Sequence, residues 1–265
     1  MCLVGDSMPA LRLLSTDFDG TLISYGSDGR CRHAFAEVLR RHRRAGGLWA
    51  VNTGRGFEHA LEGLKHFDAP VDPDFLLTNE RAIYRNDGRG GWKSHDEWNR
   101  LCDARHVALF EEARDVVRQI CERAEASPDM TLLIEEGEPV GLLTSTEELM
   151  GEVVAWIDAL SRPFPDFFYQ RNTVYLRFCH RAYHKGSALG EVCRIAQIDR
   201  LHVLAAGDQY NDIPMLDGRY AAFPCCPSNA IGPVREAVLA AGGYVASRPA
   251  SDGIADAWTF FTELP

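Results

Sequence analysis

The sequence has little positive charge and no long apolar stretch. It contains 28 lysine and arginine residues against 38 aspartate and glutamate residues, a formal net charge of −10 at pH 7. Because nucleic acids and anionic membrane surfaces bind proteins through a basic face, this balance argues against both as partners. No segment approaches the roughly 20 apolar residues of a membrane-spanning helix. The opening "MCLVGDSMPALRLL" also lacks the basic and apolar regions of a signal peptide. These absences predict a soluble, cytoplasmic protein.

The cysteines lack the spacing of a metal or redox motif. None of the eight, Cys2 included, forms a CxxC pair, and Cys225 and Cys226 are neighbours, an awkward geometry for a disulfide. Free thiols in a reducing compartment are therefore predicted, rather than disulfide bonds or a zinc site.

Short apolar runs alternate with helical patterns at both ends of the chain. The runs are "LRLLST", "LWAVNT" and "PDFLLT" in the first third, and "LHVLAAGD", "YAAFPC" and "GYVAS" near the end. The first three are separated by segments with apolar residues at helical spacing, "HAFAEVLRRHRRAG" and "GFEHALEGLKHF". This alternation is typical of βαβ units, in which strands buried on both faces are continuously apolar. It predicts an α/β fold with a Rossmann-like, doubly wound parallel sheet.

The middle of the chain has a different rhythm. It contains a long charged helical segment, "VALFEEARDVVRQICERAEA", two apolar runs separated by "GE", a further helix and the strand-like "NTVYLRFCH". About a hundred residues with their own elements are too many for a loop. We therefore expect a core domain of residues 1–80 and 185–265 with an inserted α+β domain of residues 81–184.

Polar residues follow the apolar runs at the places where parallel strands would end. Ligands in open parallel sheets bind beyond the carboxyl ends of the strands, so these residues are expected to share one crevice. They are Asp17 and Asp19 in "LLSTDFDGTLIS", Thr53 and Gly54 in "VNTGRG", Lys185 in "HKGSAL", and Asp208, Asn211 and Asp212 in "GDQYND".

These residue types suit the chemistry of a phosphate ester. Carboxylates can hold Mg²⁺, which makes crowded aspartates tolerable, and one aspartate can attack phosphorus. A second carboxylate can protonate the leaving oxygen and then activate water. A threonine beside a helix N-terminus can bind phosphate, and lysine balances the charge that gathers there.

Each signal also has an ordinary structural explanation. Alone, "GDQYND" could be a turn and a helix cap, Thr53 a strand-end residue, and Lys185 a surface lysine. Their order along the chain and their places at the ends of elements favour a shared site.

In that order, the four segments "DFDGTL", "VNTGR", "HKGSAL" and "GDQYND" resemble the four motifs of the haloacid dehalogenase superfamily of phosphohydrolases. The long insert between the second and third segments resembles the branch with a type-two cap, which includes Cof-like and sucrose-phosphatase-like proteins. One departure is "CHRAYHKG", where the family usually has proline and glycine before Lys-Gly.

The resemblance implies a role for each residue. Asp17 would be the nucleophile and Asp19 the general acid/base. Mg²⁺ would be held by the Asp17 carboxylate, the Asp19 backbone carbonyl and Asp208, with Asp212 orienting its water shell or adding a ligand. The phosphate group would be bound by Thr53, Gly54, Lys185 and Asn211.

The cap segment offers weaker signals. "TNERAIYRNDGRGGWKSHDEWNRL" resembles sucrose-phosphatase-like proteins in its two tryptophans, Trp92 and Trp98, although both could simply be core residues. The other candidates for substrate contact, or for a solvated charged loop, are Arg177, His180, Arg181 and His184.

The interpretation that this sequence favours is a magnesium-dependent phosphatase for a small phosphorylated metabolite, above all a sugar phosphate. Asp19 points to phosphate esters, because the dehalogenases of the superfamily lack the second carboxylate. A phosphomannomutase-like phosphomutase and a non-catalytic metabolite-binding module are the alternatives. The sequence does not indicate the oligomeric state.

Overall fold

The computed structural model describes residues 11–135 and 137–263, which form two compact units. The first unit contains residues 11–95, 185–208 and 212–263, and the second contains residues 96–184 and 209–211. Cys2 and most of the segment examined for a signal peptide lie outside the described residues.

Strands and helices alternate through the first unit. Its first part contains β1 (Leu13–Thr16), α1 (His33–Arg44), β2 (Leu48–Asn52), α2 (Phe57–Phe67), β3 (Phe75–Thr78), β4 (Ala82–Asn86) and β5 (Trp92–Ser94). The second unit contains α3 (Asp96–Glu112), α4 (Arg114–Glu125), β6 (Met130–Glu135), β7 (Glu138–Thr144), α5 (Glu147–Leu160), β8 (Phe167–Asn172) and β9 (Tyr175–His180). The chain then returns to the first unit with α6 (Lys185–Ala196), β10 (Val203–Ala206), α7 (Ile213–Leu216), β11 (Phe223–Cys226), α8 (Gly232–Ala240), β12 (Tyr244–Val245) and α9 (Ala250–Glu263).

The first unit is built on an eight-stranded sheet in the order β12-β11-β10-β1-β2-β3-β4-β5. The six strands from β12 to β3 run parallel, and β4 and β5 join as antiparallel strands. All six apolar runs identified in the sequence lie in the parallel part of this sheet. The predicted α/β fold with a parallel-sheet core and an additional α+β unit is confirmed.

The boundary between the two units differs from the predicted one. We expected the inserted domain to begin at residue 81, whereas residues 82–94 supply β4 and β5 of the first unit's sheet. The reason is backbone pairing: Leu77 pairs with Ile83, so the chain folds straight back along β3. Ile83 is fully buried there.

The second unit has its own sheet and its own core. Its four strands are antiparallel in the order β6-β7-β9-β8. The long charged segment expected to be one helix is two, because α3 and α4 are separated at the buried residue Ala113. A separate apolar cluster that includes Ile120, Leu142 and Phe178 fills this unit.

Disulfide bonds and membrane-spanning helices are the two features that the sequence argues against. The seven cysteines described by the structure are free thiols, and five of them are buried. Among the described residues no helix combines the length and apolar character needed to cross a bilayer.

A buried histidine at the end of α1 makes stability depend on pH. His42 is 2% exposed and its Nε2 lies 3.0 Å from the carbonyl oxygen of Leu48. Burial lowers the pKa of His42 from its ordinary value of 6.5, so the folded protein keeps the imidazole neutral. As the pH falls below 6.5, the imidazole of the unfolded chain binds a proton that the buried imidazole of the folded chain does not yet bind. The free energy of unfolding should therefore fall as the pH drops below 6.5.

We expect the His42→Gln variant to lose less stability between pH 7 and pH 5.5 than the wild type, because glutamine does not titrate. Urea unfolding at both pH values measures the difference. Equal losses in the two proteins would show that His42 does not cause the effect.

Candidate active site

Three neighbouring strands bring the candidate residues to one edge of the sheet. β1 lies between β2 and β10, and all three are parallel, so their carboxyl ends point the same way. Asp17 follows β1 directly, Thr53 follows β2, and Asp208 stands two residues beyond β10. All three are buried. The strand order therefore places these polar residues beyond the carboxyl ends of three neighbouring strands.

A buried lysine joins two of the carboxylates. Lys185 Nζ donates to Asp17 Oδ1 at 2.7 Å and to Asp212 Oδ1 at 2.6 Å. Lys185 begins α6 and is 1% exposed. Its position is fixed through the backbone as well, because Asn52 Nδ2 donates to the Lys185 carbonyl oxygen at 2.9 Å. The two carboxylates raise the pKa of the Lys185 ammonium group against the effect of burial, so it remains charged.

Asp208 is held by its neighbours on two sides. Thr21 Oγ1 donates to Asp208 Oδ1 at 2.6 Å, and the Asp208 N–H donates to Asp212 Oδ2 at 2.8 Å. The chain approaches this carboxylate so closely that a Cβ at Gly20 would lie 2.2 Å from Asp208 Oδ2. Gly20 also has a φ of +83°, which glycine adopts without strain. The glycine of "DFDGTL" is therefore required by both space and backbone conformation.

The carboxylates of Asp17, Asp208 and Asp212 could hold a metal ion. One oxygen from each lies within 4.8 Å of the others, and each residue is at most 6% exposed. Three carboxylates face one ammonium group, that of Lys185, which leaves two formal negative charges uncompensated. Burial and the neighbouring carboxylates raise the pKa of Asp17, and they raise that of Asp208 to about 7. A hard divalent cation with oxygen ligands fits this charge and donor set.

The carboxylate of Asp19 has a different partner. Both of its oxygens accept hydrogen bonds from the guanidinium group of Arg55, from Nε at 2.7 Å and from Nη2 at 2.6 Å. Its side chain is not part of the group of three acids that converge among the described residues. Arg55 had no predicted role, and its place directly after Thr53 and Gly54 is the sequence signal for it.

A buried acid beside the second motif was also missed. Glu80 is 3% exposed, and its Oε1 would lie 3.3 Å from a Cβ built at Gly54. Its backbone N–H donates to the carbonyl oxygen of Thr53 at 3.0 Å. Asn79 and Glu80 both have positive φ values, 48° and 64°, in the left-handed region that asparagine tolerates and that is uncommon for glutamate. No sequence pattern signals the position of Glu80 in this turn.

Asn211 belongs to the short segment 209–211, which is grouped with the second unit. The residue is 9% exposed. Its assignment to phosphate binding stays a prediction.

Two of the cap candidates are engaged within the second unit. Arg177 and His180 lie on β9 and are buried, not in a solvated loop. Both terminal nitrogens of Arg177 donate to the Glu135 carboxylate, at 2.8 and 2.5 Å. The backbone N–H of His180 donates to His106 Nε2 at 3.1 Å.

Three of the remaining cap candidates, Arg181, Trp98 and Trp92, have hydrogen-bond or packing partners. Arg181 Nε donates to the Pro165 carbonyl oxygen at 2.6 Å. Trp98 packs edge-on against Tyr183 with ring centroids 5.1 Å apart, and Trp92 packs against the core of the first unit.

Comparisons with known proteins agree with the motifs. Residues 130–257 match the model of the haloacid dehalogenase-like hydrolase family. This range contains the segments of Lys185, Asp208 and Asp212. No curated protein matches the chain in sequence.

Solved structures share the fold at low sequence identity. The sucrose-phosphatase of Synechocystis sp. PCC6803, in complex with sucrose and phosphate, is 18% identical with a TM-score of 0.73, covering 95% of this chain and 98% of that one. The subclass IIB sugar phosphatase BT4131 is 20% identical with a TM-score of 0.66, covering 94% and 98%. The phosphatase BT1666 from Bacteroides thetaiotaomicron is 18% identical with a TM-score of 0.64, covering 98% of each chain.

Proposed function

We propose that this chain, which resembles the haloacid dehalogenase-like hydrolases in its motifs and matches their family model over residues 130–257, is a magnesium-dependent phosphatase that hydrolyses a small phosphorylated metabolite. The observation that carries the proposal is a cluster of three buried carboxylates beyond the carboxyl ends of β1 and β10, two of which bind one buried lysine. A buried group of this kind is costly unless a cation balances its negative charge.

Asp17 is the proposed nucleophile. One of its oxygens accepts the hydrogen bond from Lys185, and the other is proposed to attack phosphorus. The bond from Asp17 to phosphorus forms as the ester bond to the leaving oxygen breaks, and Asp19 gives that oxygen a proton. In the second step Asp19 takes a proton from water, the water oxygen bonds to phosphorus, and Asp17 is released.

The remaining site residues are proposed to hold the cation and the phosphate group. Asp17, Asp208 and Asp212, with the backbone carbonyl of Asp19, would hold Mg²⁺. When bound, the cation would neutralise the charge on the phosphoryl group. Four residues are proposed to bind the phosphate oxygens: Thr53, Gly54, Lys185 and Asn211.

A sugar phosphate is the proposed substrate class. Support comes from the neighbours named as a sucrose-phosphatase and a sugar phosphatase, whose fold this chain shares in both units. We place the protein in the cytoplasm, with a small phosphorylated metabolite as its partner.

Removal of divalent cations should abolish activity. EDTA treatment should reduce phosphate release to background, and added Mg²⁺ should restore it, because the buried carboxylates would otherwise repel the substrate. Mg²⁺ should also raise the melting temperature of the wild type, and raise that of Asp208→Asn less, since binding to the folded state stabilises it. Full activity after exhaustive EDTA treatment would contradict the assignment of the metal.

A screen of phosphorylated metabolites tests the function itself. Inorganic phosphate should be released from one or more sugar phosphates in the presence of Mg²⁺, and release should not require an added sugar bisphosphate. A phosphomutase would instead convert one sugar phosphate into its isomer and would depend on the bisphosphate. A non-catalytic binding protein would release no phosphate from any compound.

A further inference from the structure

The hydrogen bonds between Arg55 and Asp19 form a two-point contact. Nε and Nη2 of the guanidinium group each donate to a different oxygen of the carboxylate, at 2.7 and 2.6 Å. Such a contact fixes the plane and the direction of the carboxylate, which a single hydrogen bond would leave free to rotate. The Asp19 side chain is one-third exposed, so its own burial does not hold it in place.

The guanidinium group is itself held from several sides. It lies over the Phe18 ring, with Cζ 4.8 Å from the ring centroid, and Nη1 donates to the His59 carbonyl oxygen at 3.4 Å. The Arg55 backbone N–H donates to Thr53 Oγ1 at 3.1 Å. With only 17% of its side chain exposed, Arg55 is anchored far more firmly than a surface arginine.

A glycine in α2 leaves the space that the guanidinium group occupies. A Cβ at Gly63 would lie 2.3 Å from Arg55 Nη1 and 3.0 Å from Phe18 Cε1. Glycine inside a helix lowers stability relative to alanine. At Gly63 this cost accompanies the close approach of Arg55, which a side chain at this position would block.

We propose that Arg55, seated in the space left by Gly63, is a positioning residue that holds the Asp19 carboxylate in place for proton transfer to the leaving group. This inference rests on the proposed function, in which Asp19 is the acid/base. An ionised carboxylate has about four acceptor positions, and the contact with Arg55 uses two of them, so a position remains for the reacting proton. The arrangement needs the planar guanidinium group, and a lysine would supply the charge without the two-point contact.

The first test compares two substrates in the Arg55→Ala and Arg55→Lys variants. Glucose 6-phosphate has a poor leaving group that needs the proton, and p-nitrophenyl phosphate has a good one that does not. Both variants should lose about 100-fold in kcat/KM for glucose 6-phosphate, and less than about tenfold for p-nitrophenyl phosphate. Guanidinium ions added to Arg55→Ala should restore part of the loss for glucose 6-phosphate.

The second test moves Arg55 without changing any residue of the site. Gly63→Ala should displace the end of the flexible Arg55 side chain and lower activity on glucose 6-phosphate by about tenfold. Its melting temperature should change little, because the helix preference of alanine offsets the tight contact of the new Cβ with Phe18. Gly151 is the matched control: it lies inside α5, and a Cβ there would contact nothing within 4 Å. Gly151→Ala should leave both activities unchanged.

Asp19→Asn separates failure of this inference from failure of the proposed function. If Asp19→Asn loses activity selectively on glucose 6-phosphate while the Arg55 variants and Gly63→Ala stay within twofold of wild type, the positioning role is overturned and the acid/base role stands. Equal losses on both substrates in the Arg55 variants would also overturn it. If Asp19→Asn shows no selective loss, the proposed acid/base role falls, and the inference falls with it. The NMR signal of the Arg55 Nε–H group should shift in Asp19→Asn, and an unchanged signal would disprove the contact itself.

Discussion

Asp17→Asn is expected to lower kcat by at least about 10⁴-fold, the scale seen when a covalent nucleophile is removed. Asparagine has nearly the same size and can still accept the hydrogen bond from Lys185, but its amide is a poor nucleophile. Initial rates of phosphate release measure the loss.

The fold of this variant should survive, because the substitution removes one of three mutually repelling buried carboxylates. Its melting temperature without added metal should equal or exceed that of the wild type. Mass spectrometry of quenched reactions should detect a phosphorylated enzyme in the wild type and none in the variant. Wild-type turnover in Asp17→Asn would mean that the nucleophile is another residue.

Asp19→Asn is expected to have the second-largest effect, and the effect should depend on the leaving group. A sugar alkoxide needs a proton as it leaves, and general acid assistance is worth about 10²- to 10⁴-fold in rate. Phosphorylation of the enzyme by glucose 6-phosphate should therefore slow far more than phosphorylation by p-nitrophenyl phosphate.

The second step provides an internal control for this experiment. Hydrolysis of the phosphorylated enzyme should slow equally for both substrates, because water activation is lost in each case. Single-turnover kinetics resolve the two steps. Equal losses in the first step would remove Asp19 as the acid.

The parallel core was predictable because its strands are buried on both faces and its motifs stand where strands end. β1, β2 and β10 are buried along almost their whole length, and each is followed within two residues by a polar residue of the site. An apolar run followed at once by a polar residue marks both a buried parallel strand and the site at its end. A short stretch of sequence therefore predicts both.

The details that sequence analysis missed depend on contacts between distant segments. Ile83 is buried because β4 pairs with β3. The alternating burial pattern of β4 would fit a strand of either unit, so it does not show which sheet the strand joins. The contact between Arg55 and Asp19 joins residues 36 positions apart and has no periodic signal. Glu80 is placed by a left-handed turn that a charged residue rarely adopts.

The central position of β1 has a consequence for how the protein is made. Its two neighbours are β2, about 35 residues later, and β10, about 190 residues later in the chain. During synthesis from the N-terminus, β1 can pair with β2 early, but its other edge stays open until β10 emerges from the ribosome. Pairing over such a separation is slow because a long loop must close. The second unit, which is translated in between, can fold first, and the unpaired edge of β1 is exposed to aggregation in the nascent chain until β10 emerges.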